Sequence, residues 1–265
     1  MSDGARIRAL AIVVSLAALA AGCAARGPAR PGGTPTPDAG AEAAFAAATA
    51  ACAGLRTFTG ELALSGRAGN QRVRGRLIVG LAAPASARLE GVAPFGAPLF
   101  ILAAADDRGT LLLPRDRRVL ADAPVRDLLD GLTGIGLGAG DLRLVLTGCL
   151  AAGSSASAGR RWPGGWQSVD VGAGRTAYLR RLNGAPAVVA ADYEGWRVDY
   201  AAHRNGFPRE VRLRAADAAR RIDVTARVTQ LEVNVPIDAA AFAVTVPPGV
   251  EPITLADLRQ MQTWH

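Results

Sequence analysis

Hydrophobic and polar residues alternate with a period of two along most of the chain after residue 57, and this period predicts β-strands. The first run places Leu62 and Leu64 on one face, and the second places Leu77 and Val79 on one face. A Gly-Asn pair at 69–70 separates them and indicates a hairpin turn. Further strands are predicted at 87–92, 99–104, 110–113, 167–171, 176–182, 187–193, 196–201, 210–215 and 221–233. The pattern predicts a mainly β fold, an antiparallel meander of about ten to eleven strands with helices inserted in it.

Helical spacing of apolar residues predicts four short helices. We assign them to 42–55, 124–132, 142–147 and 255–261. Pro124 and Asp141 stand at the start of the two central helices, where proline and aspartate are favoured. The glycine-rich segment 133–140 between these helices lacks the lysine and the preceding parallel strand of a phosphate-binding loop. We therefore interpret it as a helix connector.

The loop between 87–92 and 99–104 has an unusual sequence. Pro94 and Gly96 enclose Phe95, although turns normally carry small or polar residues. Proline fixes the backbone on one side and glycine permits a positive φ on the other, so the loop should be short and stiff. Two interpretations of Phe95 stay open: it covers the core, or it forms an exposed apolar tip that touches lipid or an acylated partner.

The N-terminus has the three parts of an export signal: a basic start, an apolar run at 9–21, and small residues before Cys23. The apolar run is shorter than the roughly 20 residues that a bilayer span needs. Cysteine directly after Ala-Ala-Gly matches the bacterial lipobox. This match implies a lipoprotein signal peptide at 1–22 and an acylated Cys23. An ordinary secreted protein, cut near the same place, is the alternative.

Segments of different composition follow Cys23. Ala24 stands where lipoproteins retained in the inner membrane commonly carry aspartate, which implies the outer membrane, on its periplasmic face. Residues 23–43 have almost no large apolar side chains and are predicted to form a lipidated flexible tether. The domain is predicted at 44–250, followed by a C-terminal tail helix at 251–265.

Net charge and cysteine content narrow the function further. The formal charge is +7, and all 30 basic residues are arginines. The arginines are dispersed at alternating strand positions, as in 72–76, which indicates solvated strand faces. Nucleic-acid binding needs clustering with interleaved aromatic residues, so it is excluded, whereas a mild attraction to anionic lipid is compatible. Cys52 and Cys149 either pair in an oxidising periplasm or remain two buried thiols.

The sequence contains no pattern typical of an enzyme. Its two histidines are His203 and His265, and there is no Gly-x-Ser-x-Gly elbow or cysteine–histidine cluster with metal spacing. We expect no catalytic residues, no metal site and no cofactor. A hydrolase would require His203 within hydrogen-bond reach of a serine in a cleft.

Two blocks of sequence resemble the LolB family of outer-membrane lipoproteins, within the wider class of periplasmic lipoprotein carriers. The blocks are 88–99, which contains Pro94-Phe95-Gly96, and 128–134 (LLDGLTG) followed by 141–143 and 146–148. The likeness runs from about Thr59 to Gly148, and the later strands match in pattern only.

The resemblance implies an unclosed antiparallel half-barrel whose concave side is covered by short α-helices. The concavity would accept the acyl chains of a lipoprotein cargo from a soluble periplasmic carrier and deliver the cargo into the outer membrane. Pro94, Phe95 and Gly96 would form the membrane-insertion loop. Phe95 stands where the family commonly has leucine, and this favours the interpretation in which Phe95 is exposed.

We expect the protein to be a monomer.

An acyl-chain cavity requires apolar inner side chains with space between them. Ala63, Ala87 and Ala103 are predicted to leave that space. The predicted lining is Leu62, Leu64, Leu77, Val79, Leu89, Leu99, Ile101, Leu128, Leu129, Leu132, Leu142 and Leu146. Two alternatives stay open: an envelope-assembly scaffold with a filled half-barrel, and a carrier of another lipid.

Overall fold

A computed structural model describes residues 30–92, Phe95, 98–150 and 156–262 of the chain. The predicted signal peptide and Cys23 lie outside these residues. The strands are β1 (Thr36–Pro37), β2 (Thr57–Ala68), β3 (Gln71–Ala82), β4 (Ser86–Val92), β5 (Phe100–Ala105), β6 (Arg108–Leu113), β7 (Arg118–Pro124), β8 (Ser157–Trp162), β9 (Trp166–Asp170), β10 (Thr176–Leu182), β11 (Ala185–Tyr193), β12 (Trp196–Ala201), β13 (Glu210–Ala215), β14 (Asp223–Val233) and β15 (Glu251–Pro252).

The described residues form one sheet in the order β1-β8-β9-β10-β11-β12-β13-β14-β2-β3-β4-β5-β6-β7-β15. Neighbouring strands are antiparallel, except that β15 runs parallel to β7. The sheet begins at β1 and ends at β15 without closing. The predicted fold class is therefore confirmed: a mainly β, unclosed half-barrel with helices, although it has more strands than expected.

The four α-helices are α1 (Gly40–Ala48), α2 (Val125–Thr133), α3 (Ala139–Thr147) and α4 (Leu255–Gln262). The first predicted helix ends early, and one 3-10 turn (Ala50–Cys52) follows it. Helices α2 and α3 both end at glycines in the left-handed region, Gly134 at φ 74° and Gly148 at φ 72°. Glycine adopts this conformation without strain, which explains why the glycine-rich segment separates two helices instead of joining them into one.

The helices cover one face of the sheet, which we call the inner face, and the opposite side is the outer face. Two apolar clusters fill the inner side. The first joins β2 to β7 with α2, α3 and α4, and Leu102, Leu111 and Leu128 are almost fully buried in it. The second joins β9 to β14 with α1 through Phe45. Leu142 of α3 packs against both clusters, so α3 lies across their junction.

Four strands were not predicted: β1, β7, β8 and β15. Strand β8 lies in 151–165, a stretch of mostly small and polar residues. Apart from Trp162 its residues are small or charged, and it lies near a sheet edge and buries little of its surface. Strands β1 and β15 have two residues each, too few for any period to be visible.

The chain is packed against the domain earlier than the predicted tether suggests. Residues 23–29 lie outside the described part. From Arg30 onward the chain contacts the sheet: Arg30 donates a hydrogen bond of 2.6 Å to the Asp199 carboxylate, β1 pairs with β8, and α1 begins at Gly40. A charged contact with a carboxylate that is only 4% exposed holds the segment down despite its lack of apolar side chains.

The predicted tail helix is also part of the fold. Leu258 of α4 is 2% exposed and lies in the first cluster. It packs over Gly131 of α2, where an added Cβ would come within 2.8 Å of Leu258 Cδ2. The small residue in α2 therefore lets the two helices approach closely.

Cys52 and Cys149 form a disulfide, with their Cα atoms 5.5 Å apart. The structure thus decides between the two alternatives that the sequence left open. The bond links the turn before β2 to the residues just after α3, across a sequence separation of 97. It therefore fixes the C-terminal end of α3 to the sheet.

Candidate functional site

An apolar cavity of about 280 Å³ lies between the inner face and the helices. An apolar cavity of about 150 Å³ is already large enough to bind benzene, so this one has room for a larger apolar group. Five predicted leucines line it from the sheet side: Leu62, Leu64, Leu77, Leu89 and Leu99. Three predicted leucines line it from the helices: Leu129, Leu142 and Leu146.

Sequence reasoning missed a second wall of the cavity. Val211 and Leu213 of β13 and Val224 and Ala226 of β14 also line it. Pairing in the sheet places Ala226 opposite Leu64 and beside Val211. The alternation in these strands is visible in the sequence, but only the sheet order shows that β14 lies next to β2.

Four residues of the predicted lining are placed elsewhere. Val79 and Leu128 are buried in the first cluster, and Leu132 packs against its margin. Ile101 is on the outer face, because it pairs with Glu90 while its neighbour Leu102 pairs with the inner Leu89. Three consecutive apolar residues, 100–102, conceal the register, since alternation alone does not show which of them points inward.

The predicted small residues are divided between the two faces. Ala87 lies inside, in the first cluster. Ala63 pairs with Arg76 and Ala103 pairs with Arg88, on the outer face. The free volume therefore does not come from Ala63 and Ala103.

The cavity opens to solvent beside the N-terminal half of β3. Leu99 is 46% exposed although it lines the cavity, and Arg74, Gly75 and Arg76 are exposed lining residues. Gly75 pairs with Leu64 and lies on the inner face, where an added Cβ would meet no atom within 4 Å. Open space above a glycine at the rim marks an entrance that a larger side chain would close.

A second glycine, on the neighbouring strand β4, also lines the cavity. Gly91 of β4 pairs with Phe100 of β5, and an added Cβ at Gly91 would lie 2.7 Å from the Phe100 ring. Because glycine has no side chain, the Phe100 ring packs directly over the backbone of β4. Phe100 thereby narrows the entrance and keeps its lining apolar.

Polar contacts fix the N-terminal end of α3. Asp107 accepts a hydrogen bond of 2.7 Å from the amide of Ala139, and Asp141 accepts one of 3.1 Å from the amide of Gly138. The Tyr193 hydroxyl donates to Asp141 at 2.5 Å. Burial and this hydrogen bond raise the pKa of Tyr193, so it remains a donor at neutral pH.

A charged network surrounds the same helix end. Arg126 donates to Asp141 at 2.8 Å and to Glu194 at 2.9 Å, and Arg175 also pairs with Glu194. Burial alone would raise the pKa of Glu194, but the hydrogen bonds from Arg175 and Arg126 outweigh burial and lower the pKa. With this network at one end and the disulfide at the other, α3 is a fixed roof of the cavity.

Phe95 is 88% exposed, so it does not cover the core. Its carbonyl oxygen accepts a hydrogen bond of 3.0 Å from Arg115 in the β6–β7 turn. Pro94 and Gly96, the other members of the predicted loop, lie outside the described residues. An exposed aromatic ring therefore stands at the same end of the sheet as the cavity entrance.

Within the described residues, the hydrogen bond of His203 is to a backbone carbonyl and not to a serine. Its Nε2 lies 2.9 Å from the carbonyl oxygen of Val188. Among the described residues there is no group of three or more histidine, cysteine or acidic side chains arranged to hold a metal ion. No helix in the described part of the chain is long and apolar enough to cross a membrane.

No protein-family model matches the chain, and no curated protein matches it. Three solved structures are similar at low identity. One is provisionally described as an outer membrane lipoprotein-sorting protein domain, from Vibrio parahaemolyticus (8% identity, 76% of this chain and 95% of that chain, TM-score 0.49). The second is a DUF1329 family protein from Desulfovibrio piger (11%, 76% and 96%, TM-score 0.43). The third is lipoprotein LppX from Mycobacterium tuberculosis (12%, 76% and 98%, TM-score 0.33). TM-scores below 0.5 assign neither a family nor a function to this chain.

Proposed function

We propose that this protein is a lipid-anchored outer-membrane receptor that binds the acyl chains of lipoprotein cargo and inserts the cargo into the membrane. The cargo would come from a soluble periplasmic carrier, and the anchor would be the acylated Cys23. The proposal involves no catalysis and no cofactor.

The apolar cavity with an open entrance is the observation that carries this proposal. A half-barrel used only as a scaffold would have no reason to leave an apolar space between its sheet and helices, because unfilled volume costs stability. Burial of an apolar chain there is non-directional and tolerates different cargo. The exposed Phe95 beside the entrance supports the delivery step, since an apolar tip can enter the lipid interface.

Native mass spectrometry of the chain from residue 23 onward, with Cys23→Ala, tests the binding step. The chain is mixed with a purified acylated lipoprotein and, separately, with its delipidated form. Binding to the acylated form alone supports the proposal. Equal binding to both would indicate a protein-docking scaffold, and binding to neither would leave a carrier of another lipid.

A pair of variants at Gly75 links binding to this cavity. Gly75→Phe should place a ring in the entrance without strain, because the site is open and phenylalanine is favoured in strands. We expect acyl binding to weaken at least about tenfold, or about 1.4 kcal/mol. Gly75→Ala adds only a Cβ and should bind normally. Equal binding by both variants would show that the acyl chain enters elsewhere.

A further inference from the structure

The outer face of five central strands is rich in arginine. Sheet register places outward-pointing residues of β3, β2, β14, β13 and β12 in three rows across the strands. The rows are Arg72–Arg67–Asp223–Arg214–Arg197, Arg74–Ser65–Thr225–Arg212–Asp199 and Arg76–Ala63–Arg227–Glu210–Ala201. We call these positions the outer arginine face. Arginines that are dispersed in the sequence are brought together there.

Positive charge on this face exceeds what its own acidic residues neutralise. Eight arginines minus three acidic residues leaves +5. The acidic residues already have partners: Arg212 donates to Asp223, Arg227 to Glu210, and both Arg214 and Arg30 to Asp199. Four arginines of this face have no side-chain hydrogen bond or ion pair within the described part of the chain. They are Arg67, Arg72, Arg74 and Arg197.

Two of these unpaired arginines stand directly opposite each other. Arg67 of β2 pairs with Arg72 of β3 in the register. Like charges at directly opposite positions destabilise a sheet. An anion between the two guanidinium groups would turn this repulsion into attraction, so the arrangement is suited to a negatively charged ligand.

The outer arginine face also contains a groove. The middle strands contribute small side chains, Ala63, Ser65 and Thr225, and long arginines flank them on β3 and β13. These residues line a groove of about 1060 Å³. Guanidinium groups bind phosphate through paired hydrogen bonds, so a groove with arginine walls can hold phosphate groups at several points.

The chain toward Cys23 leaves from this side of the molecule. Arg30 bonds to Asp199 of the outer arginine face and also to the carbonyl oxygen of Ala191 at 2.6 Å. Cys23 is seven residues away, and seven residues span at most about 25 Å. If Cys23 carries the proposed lipid anchor, the outer arginine face is held near the membrane surface.

We propose that the outer arginine face docks on anionic phospholipid head groups. Its excess charge, unpaired arginines and groove provide the attraction, and the tie at Arg30 provides the orientation. Only the orientation rests on the proposed function, through the anchor at Cys23. Arg74 and Arg76 line both the groove and the cavity, so docking also brings the cavity entrance close to lipid.

Vesicle flotation without cargo tests the docking surface. The probe is vesicles of phosphatidylcholine and phosphatidylglycerol in equal amounts, compared with pure phosphatidylcholine. The protein is the chain from residue 23 onward with Cys23→Ala, which retains every described residue. The test variant is Arg67→Gln, Arg72→Gln and Arg74→Gln together. The matched control is Arg108→Gln, Arg181→Gln and Arg259→Gln, exposed arginines on β6, β10 and α4, outside the five strands of this face, with the same total charge change.

We expect binding to the anionic vesicles that weakens with salt, and none to the neutral ones. Each arginine near an anionic surface contributes about fivefold, so the test variant should bind about a hundredfold more weakly and the control nearly normally. An equal loss in both variants would show that only overall charge matters and would overturn the proposal. Binding to neither vesicle would also overturn it and favour an acidic protein partner.

Two further measurements make the result independent of folding and of cargo. Circular dichroism and thermal unfolding identify a test variant that has not folded, and the salt dependence of the wild-type chain tests the electrostatic attraction without any substitution. Because no acylated cargo is present, loss of vesicle binding leaves the proposed cargo binding untouched. Failure of cargo binding likewise leaves the vesicle result intact.

Discussion

Phe95 is the residue whose exposure bears most directly on the proposed function. In Phe95→Glu, the tip loses the roughly 1.5–3 kcal/mol that burial of a phenylalanine side chain in an apolar environment contributes, which is about tenfold or more in transfer. We expect folding and cargo binding to persist while insertion of cargo into vesicles falls steeply. Phe95→Leu preserves the apolar tip and serves as the control. Normal insertion by Phe95→Glu would refute the proposed role of Phe95 as the apolar tip that enters lipid.

His203 should make stability depend on pH. Burial lowers its pKa below 6.5, although its hydrogen bond with the Val188 carbonyl opposes this. Protonation would require a proton on Nδ1, which is buried and has no hydrogen-bond partner in the structure. As the pH falls below 6.5, the unfolded chain takes up a proton before the folded chain does. The free energy of unfolding should therefore decrease, by at most about 1.4 kcal/mol per pH unit.

Chemical denaturation between pH 7.5 and about pH 5 measures this effect against the ordinary histidine range. His203→Gln should show a flatter profile over the same range, since it has no imidazole to protonate. An unchanged slope in His203→Gln would assign the effect to other groups.

At the residue scale, sequence reasoning identified eight leucines of the cavity lining but missed the wall formed by β13 and β14. Leu89 could be predicted because it stands between Arg88 and Glu90. Ile101 could not, because its neighbours are also apolar and only pairing with Glu90 reveals its face. The exposure of Phe95 was one of two alternatives, since a single aromatic residue in a turn is compatible with both.

Among the elements, the roof helix α3 depends most on a covalent link. Reduction of the Cys52–Cys149 disulfide should lower the free energy of unfolding by about 2–4 kcal/mol, because the bond constrains a long loop in the unfolded chain. It should also release the C-terminal end of α3 and weaken cargo binding. Denaturation with and without reductant measures the first effect. The double variant Cys52→Ser and Cys149→Ser should be unaffected by reductant.

At the element scale, helices and long strands were predictable and short or edge strands were not. Helix α2 follows Pro124 and has an apolar face, so propensity and periodicity agree. Strand β8 shows no regular alternation of apolar and polar residues, and the segment 30–43 has few large apolar side chains. Both are ordered by long-range pairing, as between β1 and β8 or Arg30 and Asp199, which no local pattern encodes.

At the scale of the whole molecule, the two edge strands of the sheet are unusually short. Strands β1 and β15 have two residues each, and both end in proline, at Pro37 and Pro252. Proline has no amide hydrogen to donate to an added strand, and short edge strands discourage pairing between molecules. We therefore expect the chain to be monomeric.

Substitution of both edge prolines tests this expectation. Pro37→Val with Pro252→Val restores two backbone donors and adds β-branched residues, so we expect dimers or larger species at high concentration. Light scattering coupled to size-exclusion chromatography measures the mass. Pro247→Val, outside the strands, should remain monomeric. A monomeric double variant would show that other features protect the edges.

The protection of the sheet edges against pairing matters most where copies of the chain are crowded. Anchoring at a surface confines proteins to two dimensions and raises the frequency with which neighbours collide side by side. An open sheet of fifteen strands with ordinary edges would then extend from copy to copy and form a ribbon. If the chain is anchored as proposed, two prolines at opposite ends of the sheet would keep each copy a separate, freely diffusing unit, even at high density on one membrane.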